Sequence, residues 1–209
     1  ARLAVEAACQ RRRNIIAIGQ RREKSGIERV ARADRIDDFD LGGCCFADRA
    51  AMVRTGAIGA ALEDEKVVGA GAWGTALAAA MARNGQRVAL WGRDAGVVGE
   101  INTQRRNRFY LGDADLPEAI DATTDAGTAL ADADMVLLAV PAQTMRAVLT
   151  MMVPHLHPHM LLVSCAKGIE RGSGALMTEV MGRTAPANAN AVLSGPSFAA
   201  DVARGLPTP

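Results

Sequence analysis

Residues 69–74 read Gly69-Ala70-Gly71-Ala72-Trp73-Gly74, directly after the apolar dipeptide Val67-Val68 and directly before a helical pattern. The spacing G-x-G-x-x-G between a strand and a helix is typical of a turn that binds a pyrophosphate. The first glycine permits the tight turn, the second lets the backbone approach the anion, and the third lets the helix pack closely on the strand. Free N–H groups at the helix start and the helix dipole favour the anion. A glycine-rich turn without a ligand is the alternative. The sequence after the turn is needed to decide between these two interpretations.

Strand-like and helix-like patterns alternate after this turn. The strands are predicted over 66–69, 87–91, 119–123, 135–140, 160–166 and 191–194, and the helices over 73–84, 95–103, 125–130, 143–152 and 175–181. The stretch 135–140 is apolar throughout, which is typical of a strand covered on both faces. This alternation predicts an α/β fold, a Rossmann-type doubly wound parallel sheet with right-handed crossovers. Ligands of such sheets bind beyond the carboxyl ends of the strands, so the loops that follow strands are the informative ones.

The first 65 residues differ in character. They mix charges, as in Arg11-Arg12-Arg13 and Asp37-Asp38-Phe39-Asp40, and they show little periodicity. The stretch 14–19 is compatible with a short strand, but no neighbouring pattern supports it. We therefore predict an extension of uncertain, poor structure over 1–65, which need not be native to the protein family of the second region, and an NAD(P)-binding Rossmann domain over 66–209.

Composition excludes several classes of function. The net charge is +1 and aromatic residues make up 3%, so the chain has neither the electrostatic pull nor the stacking surfaces that nucleic-acid binding uses. The four cysteines form no zinc pattern, and they are too few for a disulfide framework in a chain of this length. We find no apolar run of bilayer length and no clear signal peptide, and we expect a cytoplasmic protein without nucleic-acid partner or integral membrane segment.

The end of the second strand predicts the choice of cofactor. Enzymes that use NAD usually carry an acidic residue about 20 positions after the first glycine, where it binds the ribose 2′-hydroxyl. Here Arg93 lies 24 positions after Gly69, and Asp94 comes one position late. A guanidinium at this position can grip a 2′-phosphate or stack on adenine. The sequence favours NADP with NAD tolerated, and the alternative is a solvated loop arginine.

Two further strand ends carry candidate site residues. Pro141 ends the fourth strand, where a Rossmann sheet meets the ribose and nicotinamide, although a proline also serves simply to start a helix. Lys167 ends the fifth strand and is one of only three lysines. A lysine there can hold a phosphate or polarise a carbonyl as hydride arrives. The alternative for Lys167 is an exposed side chain on a loop.

The last predicted strand is followed by Ser194-Gly195-Pro196-Ser197-Phe198-Ala199. Gly195 can bring backbone N–H groups close to an anion. Ser197 can cap the next helix and also donate to a phosphate. An ordinary strand-to-helix turn is the alternative.

Taken together, these motifs resemble the N-terminal domain of bacterial glycerol-3-phosphate dehydrogenase [NAD(P)+], from Val67 to the C-terminus. The lysine loop and the Ser-Gly-Pro-Ser-Phe-Ala loop, in this order, are the most specific parts. The resembling segments are residues 69–78, Trp91-Gly92-Arg93-Asp94, Tyr110-Leu111 with Leu116-Pro117, Val140-Pro141-Ala142-Gln143, Cys165-Ala166-Lys167-Gly168-Ile169-Glu170, residues 194–199, and Gly205-Leu206-Pro207-Thr208.

The resemblance implies reduction of dihydroxyacetone phosphate to sn-glycerol 3-phosphate with NAD(P)H, for phospholipid synthesis, in an enzyme whose full-length form is a homodimer. It implies that Lys167 is catalytic and contacts both cofactor and substrate. It assigns Gly195 and Ser197 to the substrate. The residues expected at the cofactor, from the motif and from the resemblance, are Gly69, Gly71, Ala72, Trp73, Gly74, Arg93, Pro141, Lys167 and Ala199.

Three departures from the family qualify this expectation. The family's helical C-terminal domain, which carries the main general acid–base lysine, is missing here, so we expect the fragment to bind cofactor and turn over little. Glu65 stands where the family has an apolar inward residue, and a buried carboxylate without a partner is costly. About 60 residues precede the first strand, which we ascribe either to a misjudged start or frame shift near Glu65 or to a genuine extension.

Alternatives remain open. His155, His157 and His159 have a spacing that suggests a metal, but Pro158 interrupts the strand and we predict no metal site. Another two-domain NAD(P) oxidoreductase of hydroxy acids would share the glycine turn but differ in the lysine and serine loops. A non-catalytic nucleotide-binding module is the other alternative.

Overall fold

A computed structural model describes residues 16–18, 51–52, 65–195 and 197–206. Eight strands in the described ranges form one parallel sheet in the order β2-β1-β8-β7-β6-β3-β4-β5. Their bounds are β1 Ile16–Ile18, β2 Ala51–Met52, β3 Glu65–Val68, β4 Val88–Trp91, β5 Ile120–Thr123, β6 Met135–Leu138, β7 Leu161–Ser164 and β8 Asn190–Leu193. The predicted doubly wound parallel sheet is confirmed.

Helices connect the strands after β3. Their bounds are α1 Ala72–Arg83, α2 Ala95–Gln104, α3 Arg108–Leu111, α4 Ala126–Leu130, α5 Met145–Met152, α6 Met177–Thr184 and α7 Ala199–Ala203, with 3-10 turns at Ala142–Thr144 and Val153–His155. The short helix α3 was not predicted, whereas α7 is the helix expected after Ser197, for which no bounds were predicted. Four or five residues carry too little periodicity to stand out in a sequence.

The strand order places a switch point between β3 and β6. The chain runs from β3 outward to β4 and β5 on one side, and then returns to pair β6 with the other side of β3. All these strands are parallel, so the loops after them share one edge of the sheet. Loops that leave neighbouring strands in opposite directions open a crevice at such a point.

The core lies on both faces of the sheet. All four residues of β6 are buried, which confirms the predicted strand covered on both sides. One face packs Val67, Leu90 and Leu137 against the alanine-rich side of α1. The other face packs Val136 and Leu138 with side chains of α5 and α6.

Glu65 begins β3 inside this core. Its exposed fraction is 5%, as the sequence predicted for an inward position. Desolvation raises the pKa of the carboxyl above its usual 4.5, while a side-chain hydrogen bond with Gln86 opposes that rise. The partner was not foreseen, and it relieves part of the cost of burying the carboxylate.

The early part of the chain contributes β1 and β2, which are the outermost strands on one lateral side of the sheet. The strand considered over 14–19 is confirmed as β1, which pairs with β8, and β2 continues the sheet beyond it. The other expectations for 1–64 fall outside the described residues. These include the regions of Cys9, Cys44 and Cys45.

Candidate functional site

The glycine turn joins β3 to α1 in the way the motif predicts. Gly69 has φ +119°, a conformation that side chains rarely adopt, and a Cβ there would lie 2.6 Å from the carbonyl oxygen of Ala139. A Cβ on Gly74 would overlap the carbonyl oxygen of Gly69. A Cβ on Gly71, by contrast, would meet nothing within 4 Å. The first and third glycines are thus required by packing, and the second faces open space.

The start of α1 offers free donors to that space. Gly71 is the N-cap residue and no side chain caps the helix. The first helical bond runs from Thr75 N–H to Gly71 O at 3.0 Å. The amides of Ala72, Trp73 and Gly74 precede it and have no intrahelical acceptor. With no acidic residue in the first turn, the helix dipole remains available to an anion.

The end of β4 lies against the glycine turn. A Cβ on Gly92 would be 2.7 Å from the Cβ of Ala70, so the next residue, Arg93, stands beside the turn. Arg93 is exposed and forms no hydrogen bond or ion pair with any described residue. Asp94 instead caps α2, accepting from Gly96 N–H at 2.8 Å and Val97 N–H at 3.2 Å. The guanidinium, and not the carboxylate, is the uncommitted charge here.

Pro141 lies beyond β6, on the other side of the switch point. It is exposed, and its carbonyl accepts from the backbone and hydroxyl of Thr144, at 2.9 and 3.0 Å. Pro141 therefore starts a short 3-10 turn, as expected if the proline serves as a helix start. Its position next to the loop of Ala139, which touches Gly69, also keeps it at the crevice.

Lys167 follows β7 and is exposed at the same edge. Its Nζ donates to the carbonyl oxygen of Gly195 at 3.3 Å. Gly168, with φ +114°, turns the chain directly afterwards and approaches Ala142. The lysine loop therefore meets both the Pro141 loop and the serine loop.

Two side chains of the preceding segment hold the lysine loop. Gln143 donates to Ile169 O at 2.8 Å and accepts from Arg171 N–H at 2.9 Å. Arg146 forms two bonds of 2.8 Å with the carboxylate of Glu170. That guanidinium, helped by the Ser173 hydroxyl, lowers the pKa of Glu170 to about 2. Gln143 and Glu170 lie within the resembling segments, but their hydrogen bonds join separate loops and have no signal in the sequence.

The serine loop follows β8 and leads into α7. Gly195 is exposed, and Ser197 and Ala199 are half-buried. The prediction that Ser197 caps the helix is wrong: the N-cap residue is Phe198, and no side chain caps α7. The Ser197 hydroxyl is 3.8 Å from a Cβ built on Gly195, so both residues face one small region. Pro196 lies outside the described residues.

Arg83, at the end of α1, secures α7 and was missed. Its guanidinium donates to the carbonyl oxygens of Val202 and Ala203. These carbonyls lie about 120 positions away in the sequence, where no spacing rule could have linked them. The contact fixes the serine loop relative to the helix of the glycine turn.

Asn107 is a second missed residue. It is fully buried and donates to Ala70 O at 3.1 Å and to Thr75 Oγ1 at 2.8 Å. It thus reaches the glycine turn from the segment between α2 and α3. An asparagine after two arginines gave no signal of this in the sequence.

Other reactive groups do not join the site. Burial raises the pKa of the Cys165 thiol to about 12, which keeps it protonated. The rings of His157 and His159 stack at 5.7 Å. Within the described ranges no three metal-ligating side chains come together, and no helix there is long and apolar enough to cross a membrane.

A doubly wound parallel sheet with a G-x-G-x-x-G turn at its switch point defines the chain as a Rossmann-type nucleotide-binding domain, with a lysine loop and a serine loop at the same edge. Residues 66–209 match the family described as NAD-dependent glycerol-3-phosphate dehydrogenase N-terminus. The chain belongs to this family.

Individual relatives agree. Glycerol-3-phosphate dehydrogenase [NAD(P)+] of a Chelativorans species is 53% identical over 142 residues, which cover 68% of this chain and 43% of the relative. The enzyme of that name from Rhodopseudomonas palustris is 52% identical with the same coverage. The crystal structure of glycerol-3-phosphate dehydrogenase from Coxiella burnetii has a TM-score of 0.64 and 34% identity, covering 70% of this chain and 45% of that one. This chain therefore spans less than half the length of these relatives.

Proposed function

We propose that residues 66–209 form the cofactor-binding part of an NAD(P)-dependent glycerol-3-phosphate dehydrogenase, which reduces dihydroxyacetone phosphate to sn-glycerol 3-phosphate for glycerophospholipid synthesis. Family membership supports the class of enzyme. The observation that carries the proposal is the bond of 3.3 Å between Lys167 Nζ and Gly195 O, because it joins the two family-specific loops at the edge that carries the glycine turn.

The glycine turn is suited to the pyrophosphate of a dinucleotide. The open space over Gly71 leaves room for the anion, and the free amides of Ala72, Trp73 and Gly74 supply donors. When bound, the dinucleotide supplies the hydride. The turn needs no rearrangement for this task, because Gly69 and Gly74 already pack in the tight geometry that only glycine allows.

Arg93 would select NADP, with NAD also accepted. Its guanidinium lies beside the turn without a partner among the described residues, so it is free to form a bidentate pair with a 2′-phosphate. Asp94 is occupied at the start of α2 and comes one position too late for the ribose hydroxyl. Pro141 and Ala199 line the same edge and would contact the rest of the cofactor.

Lys167, Gly195 and Ser197 would hold the substrate. The ammonium has three donors and spends one on Gly195 O, so two remain for a phosphate or a carbonyl oxygen. Positive charge next to that oxygen stabilises the negative charge that develops as hydride arrives. Ser197 adds a hydroxyl donor within the same loop pair.

The substrate class can be tested by adding glycerol 3-phosphate, up to millimolar concentrations, to the purified chain in the presence of saturating NADH. The binding is followed by calorimetry or by NMR. Saturable binding of glycerol 3-phosphate, and none of lactate or malate, is the expected result. Preference for an unphosphorylated hydroxy acid would instead favour another two-domain oxidoreductase. Binding of the dinucleotide without any binding of glycerol 3-phosphate would contradict the assigned substrate and favour a nucleotide-binding module.

A further inference from the structure

Asn107 contacts the glycine turn from outside the motif. Its exposed fraction is 0%, and its Nδ2 donates both to Ala70 O at 3.1 Å and to Thr75 Oγ1 at 2.8 Å. One bond therefore reaches the turn itself and the other reaches the first turn of α1. Thr75 is also fully buried, so both bonds are shielded from water.

The side chain of Asn107 does not cap the helix that begins after it. Asn107 is the N-cap residue of α3, where an asparagine ordinarily accepts a bond from the next turn. No such bond forms here, although the Asn107 carbonyl accepts from Leu111 N–H at 2.8 Å. The carboxamide therefore contacts the glycine turn and does not cap α3.

The orientation of the carboxamide follows from its partners. The backbone oxygen of Ala70 can only accept, so the atom facing it must be Nδ2. Oδ1 is then left buried without a hydrogen-bond partner.

The bond to Ala70 O also fixes the direction of the next backbone donor, the N–H of Gly71. In a planar trans peptide the carbonyl and the following N–H point in opposite directions. Since Ala70 C=O points to the buried Asn107, the N–H of Gly71 points away from Asn107. A Cβ on Gly71 would meet nothing within 4 Å, so the residue borders open space.

We infer that Asn107 is a positioning residue for the dinucleotide: it holds the Ala70–Gly71 peptide so that an amide, and not a carbonyl, faces the pyrophosphate. This inference rests on the proposed function. It assigns Asn107 no contact with the cofactor. Without the Nδ2 donor, the Ala70 carbonyl is buried and unpaired, and a rotation of this glycine-flanked peptide relieves it by turning the oxygen toward the anion.

The test compares Asn107→Ala with a matched control, Asn188→Ala, in the purified chain. Asn188 is also buried and donates through Nδ2 to two backbone oxygens, His157 O at 2.7 Å and Met160 O at 3.0 Å, at the opposite edge of the sheet. The dissociation constant for NAD and the melting temperature are measured for each. We expect Asn107→Ala to bind NAD about tenfold more weakly or worse, the factor that one unsatisfied buried group gives, and Asn188→Ala to lose melting temperature but little affinity.

The variant Asn107→Asp distinguishes a positioning role from a general destabilisation of the fold, because its effect on binding should depend on pH. An ionised aspartate has no donor for Ala70 O, whereas the protonated acid has one. The ratio of variant to wild-type dissociation constants should therefore be large at pH 8 and should shrink as the pH falls. If Asn107→Ala does not fold, Thr75→Val, which removes one of the two acceptors, should still weaken binding.

Three results would overturn the inference. These are wild-type affinity in a folded Asn107→Ala or Thr75→Val variant, an equal loss in Asn188→Ala, or a ratio for Asn107→Asp that does not change with pH. Absence of NAD and NADP binding by the wild-type chain would remove the proposed function and this inference with it. Normal wild-type binding with unaffected Asn107 variants would remove only the inference.

Discussion

Lys167 and Gly195 are joined by a hydrogen bond of 3.3 Å from Nζ to the backbone oxygen, across 28 positions of sequence. They follow the neighbouring strands β7 and β8, which are parallel, so the bond links two loops at one edge of the sheet. Both residues are exposed, and the ammonium keeps two further donors. The lysine is thus directed toward the serine loop and is still free to bind a ligand.

Replacing Lys167 by methionine should weaken glycerol 3-phosphate binding about tenfold or more, because a hydrogen bond to a charged group contributes about 1.5–3 kcal/mol. Dinucleotide affinity should fall less, since the glycine turn remains. Calorimetry with each ligand measures the two effects. Arg87→Met is the control, as Arg87 is an exposed cation at the other edge of the sheet. Equal affinities for glycerol 3-phosphate in the Lys167 variant and the control would refute the assignment.

Gly71→Ala should fold normally and bind NADPH at least about tenfold more weakly. A Cβ at Gly71 meets no protein atom within 4 Å, so the methyl group occupies only the space assigned to the pyrophosphate. Gly99→Ala is the matched control, because a Cβ there also meets nothing within 4 Å and the residue lies within α2. Thermal melting and NADPH titration of both variants provide the measurement. Undiminished NADPH affinity in Gly71→Ala would place the anion elsewhere.

Glu170→Gln should lower the melting temperature at pH 7, and the difference should shrink as the pH falls below 4.5. Arg146 and Ser173 lower the pKa of Glu170 from 4.5 to about 2, so the ionised form stabilises the fold above pH 4.5. This stabilisation is lost as the pH falls from about 4.5 toward about 2. Melting curves from pH 7 to 3 measure it, with the exposed Asp121→Asn as control. A difference in melting temperature that stays constant with pH would be incompatible with a stabilising ion pair between Glu170 and Arg146.

Glu65→Val should raise the melting temperature at pH 7. Desolvation raises the pKa of this buried carboxyl, so its ionisation opposes folding, and the Gln86 bond offsets only part of the effect. The cost is absent below pH 4.5 and grows as the pH rises through the raised pKa. Each kcal/mol gained corresponds to about 2–4 °C in a domain of this size. Melting curves at pH 4 and pH 7.5 should show a larger gain at the higher pH, and a loss at both would show that the Gln86 contact dominates.

Local patterns were sufficient to predict the sheet and the glycine turn. The apolar run of β6 and the glycine turn at residues 69–74 are each defined by residues that are adjacent in the sequence. Such patterns can therefore be recognised in a single sequence. The loops that follow parallel strands could be assigned to one edge for the same reason. The positions of Arg93 and Lys167 therefore followed from the order of strands.

Contacts between distant segments could not be predicted. Asn107 reaches Ala70 across 37 positions, and Arg83 reaches the carbonyls of α7 across about 120. Both contacts involve backbone oxygens, which every residue possesses, so no residue type marks the acceptor. The mistaken N-cap at Ser197 has a similar cause: the helix begins one residue later than the best capping residue suggests.

The central claim is that the glycine turn binds a dinucleotide, and tryptophan emission during titration with NADPH and NADH tests it most directly. The chain has two tryptophans: Trp73 is half-exposed within the turn, and Trp91 is buried with Nε1 bonded to Thr124 O at 3.0 Å. We predict saturable quenching that disappears in Trp73→Phe and persists in Trp91→Phe, with tighter binding of NADPH. Emission and melting temperature that stay unchanged in the folded wild-type chain, with either nucleotide, would contradict the account.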